Sequence, residues 1–544
     1  MVPATGSPPR DTRARDSRMS TANGTLHNAR DEHHDWKPAA NPWMIAASVM
    51  LATFMVVLDS SVANVALPHI AGNLSASTDE STWVLTSYLV SNAIMLPAAG
   101  WIARRIGRKR LLIFSILIFT AASLLCGVAI TMPMLIVARI LQGVGGGGMQ
   151  PLAQSILLES FPPRQHGTAM AVYGVGVVVA PVIGPTLGGW ITDSYSWRWI
   201  FYINLPIGLL ALFMVNLFVE DPPYLRKAFK GAIDYLGFGL MALWLGTLQL
   251  VLDKGQEADW FAAPWVRWTA AVSTLALIGF IVRELTDHEP IVLLHVFADR
   301  NFSVGTLITC IYGFILYATT AMLPLFLQTM LGYSALQSGL SVSPRGIGAM
   351  ASMMAVGILV RYFDGRLLMA FGFVLLGYST WMLGQINLAI DMGSVVMPNV
   401  ISGFAMGFIF VPLTTMSLSR LRKQEMGNAT GIYNLMRNIG GSIGIATVTT
   451  LLVRGSQVHQ NYLAANAGTG NPVAGGLVSG LQAKLFAQGA DAFTAHQKAL
   501  GTIYRSVQQQ SALLAYMDNF HLMAFLALLC IPLLLLFHRV KKHD

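Results

Sequence analysis

Charged residues are scarce in this chain. Only 11% of its 544 residues are Asp, Glu, Lys or Arg, 54% are hydrophobic, and the mean hydropathy is +0.57. Soluble domains carry roughly 25% charged residues, and one soluble core could not bury this much apolar surface. The deficit excludes an ordinary soluble protein and indicates that a lipid bilayer surrounds most of the chain. The net charge of +9 is therefore read as a sign of membrane topology, and we expect no nucleic-acid partner.

The sequence also lacks the motifs of soluble enzymes. Its three cysteines lie inside apolar runs, without the spacing of a disulfide framework or a zinc site, and no Gly-x-x-x-x-Gly-Lys-Ser/Thr phosphate loop occurs. Two apolar segments imitate catalytic motifs, a dinucleotide-binding loop at residues 143–148 and a nucleophile elbow at residues 440–444. Small residues in such segments more often allow close helix packing in lipid. We therefore expect neither enzymatic activity nor a cofactor.

Long apolar segments fill the rest of the chain. A bilayer core about 30 Å thick requires roughly 20 helical residues, and fourteen segments meet this requirement. They are residues 44–66, 83–103, 110–130, 134–157, 167–191, 199–219, 235–252, 266–284, 302–327, 338–360, 367–389, 395–418, 429–453 and 517–538. The sequence thus predicts an all-α polytopic membrane protein.

The distribution of Lys and Arg predicts the orientation of these spans. Most of the 35 basic residues lie between alternate spans, on the side of both termini. Because cytoplasmic segments collect basic residues, we predict a bacterial inner-membrane protein with both termini in the cytoplasm. Residues 1–42 are polar and lack the apolar core of a signal peptide, so we predict a disordered cytoplasmic tail, with Met19 as a second candidate start. Residues 539–544 form the predicted cytoplasmic C-terminus.

One connection is much longer than the others. Residues 454–516 form a polar stretch on the predicted periplasmic side, and the sequence from Asp491 onward has no proline before the last span and only one glycine. We predict that the last span extends outward as a continuous helix of roughly 45 residues, about 70 Å long. Such a projection would bind a partner outside the membrane. The alternative is a semi-ordered loop lying on the surface.

Several short motifs occur at matching positions along the spans. The loop after the second span reads GWIARRIGRKR (100–110), and a degenerate copy, GILVRYFDGR (357–366), follows the tenth. The first, fourth and fifth spans contain LDSSVANVALP (58–68), LIVARILQGVGGG (135–147) and APVIGPTLGG (180–189). Two more motifs are SWRWIFYINLPIG (196–208) and GIYNLMRNIGGSIG (431–444).

Together these motifs resemble the major facilitator superfamily and, within it, the fourteen-span drug:proton antiporters of the EmrB/QacA type, particularly EmrB-like permease subunits. The chain departs from the family at Arg104, where the family has Asp in its loop motif, and at Ala180, where the antiporter motif begins with Gly. The resemblance implies two six-helix bundles, residues 43–220 and 301–538, with two inserted helices within residues 221–300. Family motif positions fall on Gly100, Arg105, Gly107, Arg108, Gln142, Gly143, Pro181, Gly184, Pro185, Gly188, Gly189, Asn434, Arg437 and Gly441.

Asp59 is the only carboxylate well inside a predicted span, where a charge is unfavourable by about 2.5 kcal/mol or more. Such a residue is a candidate site for proton uptake and release, and for attraction of a cationic substrate. The alternative is a carboxylate near the helix end, bonded to Ser60, Ser61 or Asn64. The resemblance implies that Arg139 takes part in proton transfer, whereas the alternative is a structural role in binding backbone carbonyls.

The fifth span carries two prolines that remove backbone donors and glycines that remove side-chain bulk. We expect Pro181, Pro185, Gly184, Gly188 and Gly189 to let this helix bend and press against the opposite half, sealing one side against proton leak. An ordinary kinked helix without a gating role is the alternative.

Other intramembrane polar and aromatic residues are less specific. We favour structural roles for Arg345 and Arg437. Flat rings and thioethers accept many apolar compounds, and one candidate substrate pocket comprises Met55, Tyr88, Tyr173 and Tyr433. The alternative is that these side chains only fill space.

These observations predict proton-coupled efflux of amphipathic or hydrophobic drugs by alternating access. The resemblance further implies a tripartite pump, with a periplasmic adaptor and an outer-membrane channel as partners. Two alternatives stay open, namely a dedicated exporter of one metabolite such as a fatty acid or siderophore, and a membrane assembly or sensing component without transport.

Overall fold

A computed structural model describes residues 38–222, 234–287, 290–466 and 472–538 of the chain. The predicted tail up to residue 37 and the predicted C-terminus at residues 539–544 lie outside these residues. Within the described part the regular structure is entirely helical.

The helices fall into three consecutive groups along the chain. The first group is α1 (Pro42–Asn73), α2 (Thr78–Ile106), α3 (Arg108–Gly127), α4 (Met132–Gly147), α5 (Met149–Ser160), α6 (His166–Ser194), α7 (Trp199–Tyr202) and α8 (Asn204–Phe218). The second group is α9 (Tyr235–Lys254) and α10 (Pro264–Thr286). The third group is α11 (Arg300–Thr329), α12 (Ala335–Val342), α13 (Pro344–Leu359), α14 (Gly365–Leu383), α15 (Met392–Leu418), α16 (Met426–Asn466), α17 (Pro472–Ala487) and α18 (Ala492–Leu533). Short 3₁₀ turns lie at Pro163–Gln165, Trp260–Ala262, Leu294–Ala298, Lys423–Glu425 and Leu534–Leu536.

Local sequence explains where the first helices begin and end. The Asn41 side chain accepts a hydrogen bond from the Trp43 amide, and proline at the first helical position starts α1. Ser77 and Glu80 form a capping box that starts α2. Gly107, with φ of 93°, ends α2 and reverses the chain directly into α3, a conformation that favours glycine.

Twelve helices of the described residues are long and apolar enough to cross a membrane. The fourth and thirteenth predicted spans do not reach this criterion, although both segments are helical. The fourth is divided at Gly148 into α4 and α5, which have 16 and 12 residues. The thirteenth lies within α16, whose 41 residues include many glycine and polar positions. The count of fourteen stays a prediction, with these two segments as the additional crossings.

We call the face at which α1 begins the inner face, following the predicted orientation, and the opposite face the outer face. The first and third groups each form a bundle with an apolar cluster of its own, and a third, larger apolar cluster spans both bundles. The inserted helix α9 packs against α2 and α16, and α10 packs mainly against α9. Direct contact between the two bundles is made chiefly by α2 with α16 and by α6 with α13.

The two bundles are joined at the inner face. The Thr168 hydroxyl donates to the Gly357 carbonyl oxygen at 3.2 Å and accepts from Arg361 at 2.9 Å. The Thr430 hydroxyl donates to the Pro151 carbonyl oxygen at 3.0 Å. These hydrogen bonds hold the inner ends of the helices together in this conformation.

The third group projects beyond the membrane at the outer face. The final helix α18 has 42 residues, which span about 63 Å, roughly twice the apolar thickness of a bilayer. Its outer part packs against α16 and α17. The predicted outward extension of the last span is therefore a continuous helix, and the expectation of a semi-ordered surface loop is wrong for residues 492–516.

Candidate functional site: a buried charge cluster between helices

Asp59 lies near the middle of α1, about 25 Å from its first residue and about 21 Å from its last. Its side chain is buried, with only 2% of the residue exposed. The Ser60 hydroxyl donates instead to the Val56 carbonyl oxygen, and the Ser61 hydroxyl donates to that of Pro181. The alternative of a carboxylate near the helix end, bonded to neighbouring hydroxyls, therefore does not describe this structure.

Arg139 of α4 forms a buried ion pair with Asp59. Its Nη1 donates to Asp59 Oδ2 at 2.6 Å and to Gln142 Oε1 at 2.7 Å, while its Nε donates to the Val84 carbonyl oxygen at 3.0 Å. The arginine is fully buried. It therefore pairs with the carboxylate and also fixes α4 against α2, so both roles considered for it have a geometric basis.

Two amides complete the coordination of the carboxylate. Gln142 Nε2 and Asn204 Nδ2 donate to Asp59 Oδ1 at 2.8 and 2.7 Å. The same two nitrogens also donate to the Ser123 hydroxyl, at 3.2 and 2.9 Å. The cluster thus draws one carboxylate, one guanidinium, two amides and one hydroxyl from α1, α3, α4 and α8.

Aromatic rings enclose the guanidinium. The Arg139 Cζ atom lies 4.3 Å from the centre of the Tyr88 ring and 5.7 Å from that of Phe201. Cation–π contact of this kind stabilises a desolvated arginine. Tyr88 therefore belongs to the charge cluster in this structure.

Glycines bring the helices of the cluster close together. A Cβ atom on Gly145 would lie 2.6 Å from the Phe119 backbone nitrogen of α3, and one on Gly147 would lie 2.5 Å from the Asn92 carbonyl oxygen of α2. Gly143 packs equally closely against Tyr88 and Ser91. The glycine-rich run is thus a helix-packing surface, as the sequence predicts, and not a dinucleotide-binding loop.

A second ion pair lies at the inner face. Arg108 pairs with the buried Glu159 at the end of α5, and its Nη2 donates to the Lys423 carbonyl oxygen of the other bundle at 3.2 Å. Arg104, which replaces the family's Asp, donates to the Pro290 carbonyl oxygen at 3.1 Å. A carboxylate therefore does hold the loop arginine, but it comes from Glu159 of α5, two residues beyond the fourth predicted span.

The other loop motif residues have steric or stacking roles. A Cβ atom on Gly100 would lie 2.7 Å from Asn428 Cα of α16, so this glycine permits contact between the bundles. The Asp221 carboxylate accepts from the Lys109 amide at 2.9 Å and lies against Gly107. The Arg105 guanidinium lies 4.6 Å from the centre of the Trp101 ring.

The fifth predicted span corrects one expectation. Gly184 and Gly188 pack against Ser61 and Val62 of α1, in the same bundle, and a Cβ atom on Gly189 would meet nothing within 4 Å. These glycines therefore do not make the contact with the opposite half, although α6 itself packs against α13 of that half, and the sealing role stays a prediction. Pro181 and Pro185 lie inside a helix that continues from His166 to Ser194.

Contact of α6 with the opposite bundle is made by other residues. Gly167 and Gly174 lie against Val360 and Met353 of α13, and Gly346 of α13 lies against Val182. The interface therefore uses the inner and central parts of α6.

Two of the motif residues of the second bundle lie at the interface between bundles. Asn434 Nδ2 donates to Gln154 Oε1 at 2.7 Å, and Arg437 Nη2 donates to Gln150 Oε1 at 2.7 Å. Gly441 accommodates the Tyr317 ring of α11. The nearby nucleophile-elbow pattern lies within α16, so it has no strand and turn around it.

Three of the four predicted pocket residues, Met55, Tyr88 and Tyr173, belong to one buried apolar cluster that spans both bundles, whereas Tyr433 lies outside that cluster. All four are buried, and the Tyr88 ring also lies beneath Arg139. The Tyr173 ring stacks on Phe410 of the other bundle, with centroids 6.4 Å apart. The Tyr433 hydroxyl lies 3.1 Å from that of Thr414.

Sequence reasoning missed several residues of these sites. Ser123 and Asn204 contact the Asp59 cluster, and Glu159, Gln150 and Gln154 lie at the inner ion pair and the bundle interface. Asn204 falls within the quoted INLP segment, so an amide inside an apolar run was an available signal. Ser123 and the glutamines carry no such signal, because isolated polar residues are common in membrane helices.

Comparison with known proteins agrees with this architecture. Residues 49–445 match the family description of the Major Facilitator Superfamily, and the chain belongs to this superfamily. It is 36% identical to the multidrug export protein EmrB of Escherichia coli K12, over 89% of this chain and 94% of that protein. It is 39% identical to the fatty acid resistance protein FarB of Neisseria gonorrhoeae, over 79% of this chain and 84% of that protein.

The fold is also that of solved superfamily structures. The human organic anion transporter MFSD10 superposes with a TM-score of 0.58 at 12% identity, covering 90% of this chain and 99% of that structure. The proton:xylose symporter XylE gives a TM-score of 0.58 at 13% identity, with 89% and 94% covered. The chain is therefore a multi-pass membrane protein with the major facilitator fold, and the resemblance to EmrB-like permeases is confirmed.

Proposed function

We propose that this protein exports amphipathic compounds across the bacterial inner membrane in exchange for protons, by alternating access between its two bundles. The buried Asp59 cluster is the observation that carries the proposal. A carboxylate and a guanidinium in the middle of a membrane are costly, and such residues mark ion and proton pathways. The relatives named for multidrug export and fatty acid resistance support the direction of transport.

Proton uptake would change the forces inside the first bundle. Protonation of Asp59 removes the charge that balances Arg139 and converts one acceptor oxygen into a donor. The contacts of Arg139, Gln142 and Asn204 with the carboxylate would then have to rearrange. Three helices, α1, α4 and α8, meet at this carboxylate, so its protonation state affects how they pack.

A chain of contacts leads from the cluster to the bundle interface. Ser61, two residues after Asp59, lies against Gly184 of α6. Val182 of the same helix lies against Gly346 of the opposite bundle. A shift of α1 on proton binding would therefore change the contact between α6 and α13. This contact must separate when the inner side opens.

The proposed cycle follows from these contacts. With the bundles joined at the inner face, Asp59 takes up a proton from the outer side and substrate leaves outward. The inner contacts then separate, substrate enters from the cytoplasm, and the proton is released inward. Each step alters a two-state arrangement of the bundles, as alternating access requires.

Asp59→Asn tests this proposal. The amide has nearly the same shape but cannot ionise, so we expect inverted membrane vesicles to lose dye extrusion driven by a proton gradient. The matched control is Asp193→Asn at the outer end of α6, where the carboxylate is exposed. Correctly inserted Asp59→Asn that exports at the wild-type rate would refute the coupling role.

A dedicated exporter of one metabolite is the second candidate, because FarB is named for fatty acid resistance. A panel of structurally unrelated toxic compounds separates the two candidates. Altered susceptibility to many compounds on deletion and overexpression supports multidrug export, and altered susceptibility to a single class supports the dedicated exporter.

We further propose that the outer helices bind a periplasmic adaptor, which connects the permease to an outer-membrane channel. The support is the projection of α16 and α18 beyond the membrane, together with exposed apolar residues on α18 and on α17, which packs against α18. These include Leu477, Phe486, Phe493 and Tyr504, each more than half exposed. Exposed apolar surface on a water-facing helix often marks an interaction site.

Polar substitution of this surface tests the adaptor proposal. We expect the combined variant L477S, F486S and F493S to lose co-purification with the adaptor while retaining substrate binding. The control is Phe363→Ser, which alters an equally exposed ring at the inner face. Unchanged co-purification by the triple variant would remove this role from the outer segment.

A further inference from the structure

Two arginines of the second bundle have no carboxylate partner. Arg345 of α13 and Arg437 of α16 are both more than nine-tenths buried. Within the described residues, no Asp or Glu oxygen forms an ion pair with either guanidinium. They therefore differ from Arg139, whose charge is balanced by Asp59.

The partners that these arginines do have are neutral. Arg345 Nη1 and Nη2 donate to the hydroxyls of Thr320 and Thr319, at 3.1 and 3.3 Å. Arg437 Nη2 donates to the Gln150 side-chain oxygen at 2.7 Å. The Nε atoms of both arginines are buried without a hydrogen-bond partner. Each guanidinium thus retains donor capacity and a full positive charge.

The sequence of the second bundle offers no compensating charge. Helices α11 to α16 contain no Asp or Glu at all. Asp518 of α18 is 65% exposed and pairs with His459. In the first bundle Asp59 is already engaged by Arg139. The middle of the membrane therefore holds two uncompensated positive charges.

The two arginines are also close enough to act on one ligand. Both arginines adjoin α11. Arg345 donates to Thr319, and the Arg437 backbone packs against Gly313, six residues or about 9 Å earlier in the same helix. Arg437 lies at the interface between bundles, because Gln150 belongs to α5 of the first bundle. A ligand held here would contact both bundles, as a transported substrate must.

Apolar side chains adjoin this polar region. The Tyr173 ring stacks on Phe410, and Met353 lies against Gly174. Cationic donors next to aromatic and thioether surface suit a molecule with an anionic head and an apolar body.

From these observations we propose that Arg345 and Arg437 form the binding site for the anionic head group of an amphipathic substrate, in its simplest form a single-chain carboxylate. Guanidinium groups bind carboxylates through paired, charge-assisted hydrogen bonds. An anionic ligand would supply the charge that the bundle lacks, whereas a cationic one would be repelled. The inference rests on the proposed export function and specifies its substrate class.

Binding to the purified full-length protein in neutral-lipid nanodiscs tests the inference. The probes are dodecanoate, dodecanol and dodecylamine, which share one alkyl chain and differ in head-group charge. We expect dodecanoate to bind most tightly and dodecylamine most weakly. Arg437→Gln and Arg345→Gln should each weaken dodecanoate binding about tenfold or more, as loss of a charge-assisted contact predicts, and should leave dodecanol binding unchanged.

Arg454→Gln on the same helix α16 is the matched control, because Arg454 is 59% exposed and pairs with Asp259. It should bind dodecanoate as the wild type does. Arg437→Lys should retain the preference for dodecanoate over dodecylamine. Folded arginine variants with unchanged dodecanoate affinity, or equal affinity of the wild type for the cation, would overturn the inference.

Two further outcomes separate this inference from its neighbours. Displacement of dodecanoate by phosphatidylglycerol added to the nanodiscs would assign the site to a bound lipid and overturn the substrate role. Arginine-dependent selectivity in a protein that shows no proton-driven export would leave the anion site standing and remove the export proposal. Proton-driven export of cations alone would support the export proposal and remove the anion site.

Discussion

The two bundles treat buried arginine in opposite ways. Arg139 of the first bundle is paired with Asp59 at 2.6 Å and covered by the Tyr88 ring. Arg437 of the second bundle meets only an amide oxygen, and Arg345 meets only hydroxyls. The first arrangement balances its charges without a ligand, whereas the second leaves positive charge unbalanced. The contrast indicates different tasks for the two bundles.

A complete ion pair and an unbalanced charge respond differently to change. Removing one member of a buried pair strands the other, which is strongly destabilising. Removing an unbalanced charge relieves a desolvation penalty and leaves no charged partner behind. Residues kept in spite of such a penalty are commonly functional, because function and stability often conflict. The difference between the bundles is therefore open to measurement.

The largest expected effect separates Arg139→Met from Arg437→Met. Loss of Arg139 leaves the buried Asp59 carboxylate unpaired, so we expect a loss of about 3–5 kcal/mol in the free energy of unfolding. Arg437→Met removes a charge that has no carboxylate partner, so we expect a neutral or stabilising effect. Unfolding in detergent, followed by tryptophan fluorescence, gives both values.

The double variant Asp59→Leu with Arg139→Met is the control for the first bundle. Because it removes both charges together, it should be more stable than Arg139→Met alone. Equal destabilisation by Arg437→Met and Arg139→Met would contradict the contrast and assign Arg437 a structural role.

The amides around these arginines sharpen the same comparison. Asn204 donates to the Asp59 carboxylate, and Asn434 donates to the neutral Gln154 amide, each at 2.7 Å. Hydrogen bonds to charged groups contribute about 1.5–3 kcal/mol and neutral ones about 0.5–1.5 kcal/mol. We therefore expect Asn204→Ala to lower the unfolding free energy more than Asn434→Ala. Thermal unfolding measures this difference, because the two substitutions delete the same side-chain volume. Equal losses of stability would argue against an ionised Asp59.

Helix packing should show no such difference between bundles. A Cβ atom on Gly147 would lie 2.5 Å from the Asn92 carbonyl oxygen, and one on Gly444 would lie about as close to the Phe314 carbonyl oxygen. We expect Gly147→Ala and Gly444→Ala each to cost about 1–3 kcal/mol through overpacking. Gly189→Ala, at a position with open space, is the control. The measurement is again unfolding in detergent. A loss of stability for only one of the two variants would show that packing, as well as charge, distinguishes the bundles.

The sequence was sufficient to predict the scaffold and the central acid. Apolar length identified the membrane helices, because backbone groups in lipid must be satisfied within the helix. The isolation of Asp59 in an apolar run identified it, since unpaired charge is rare there. The family motif then indicated Arg139 and Gln142, and all three side chains meet in the structure.

The remaining contacts depend on tertiary packing that no local pattern encodes. Asn204 reaches Asp59 because α8 packs beside α1, and Ser123 reaches the Gln142 and Asn204 amides because α3 packs against α4 and α8. Gly184 was expected to face the opposite bundle, but sequence gives a helix's composition and not the direction of each face. The unbalanced charge of Arg437 likewise becomes evident only when the absence of nearby carboxylates can be read from the packed helices.

The smallest expected effect concerns an exposed carboxylate, in contrast to the buried one at Asp59. Asp491 caps α18 by accepting hydrogen bonds from Thr494 and the Phe493 amide, and the Thr494 side chain chiefly holds the pKa of Asp491 below its usual value. A lowered folded-state pKa means that the cap stabilises the helix above the unfolded value of about 3.9, and that this stabilisation is lost as the pH falls through the folded-state pKa.

We expect amide exchange at residues 492–496, after correction for intrinsic rates, to lose protection below that pH. Asp491→Asn, which keeps an acceptor but cannot titrate, should remove the pH dependence. Persistence of the dependence in that variant would show that another group controls the start of α18.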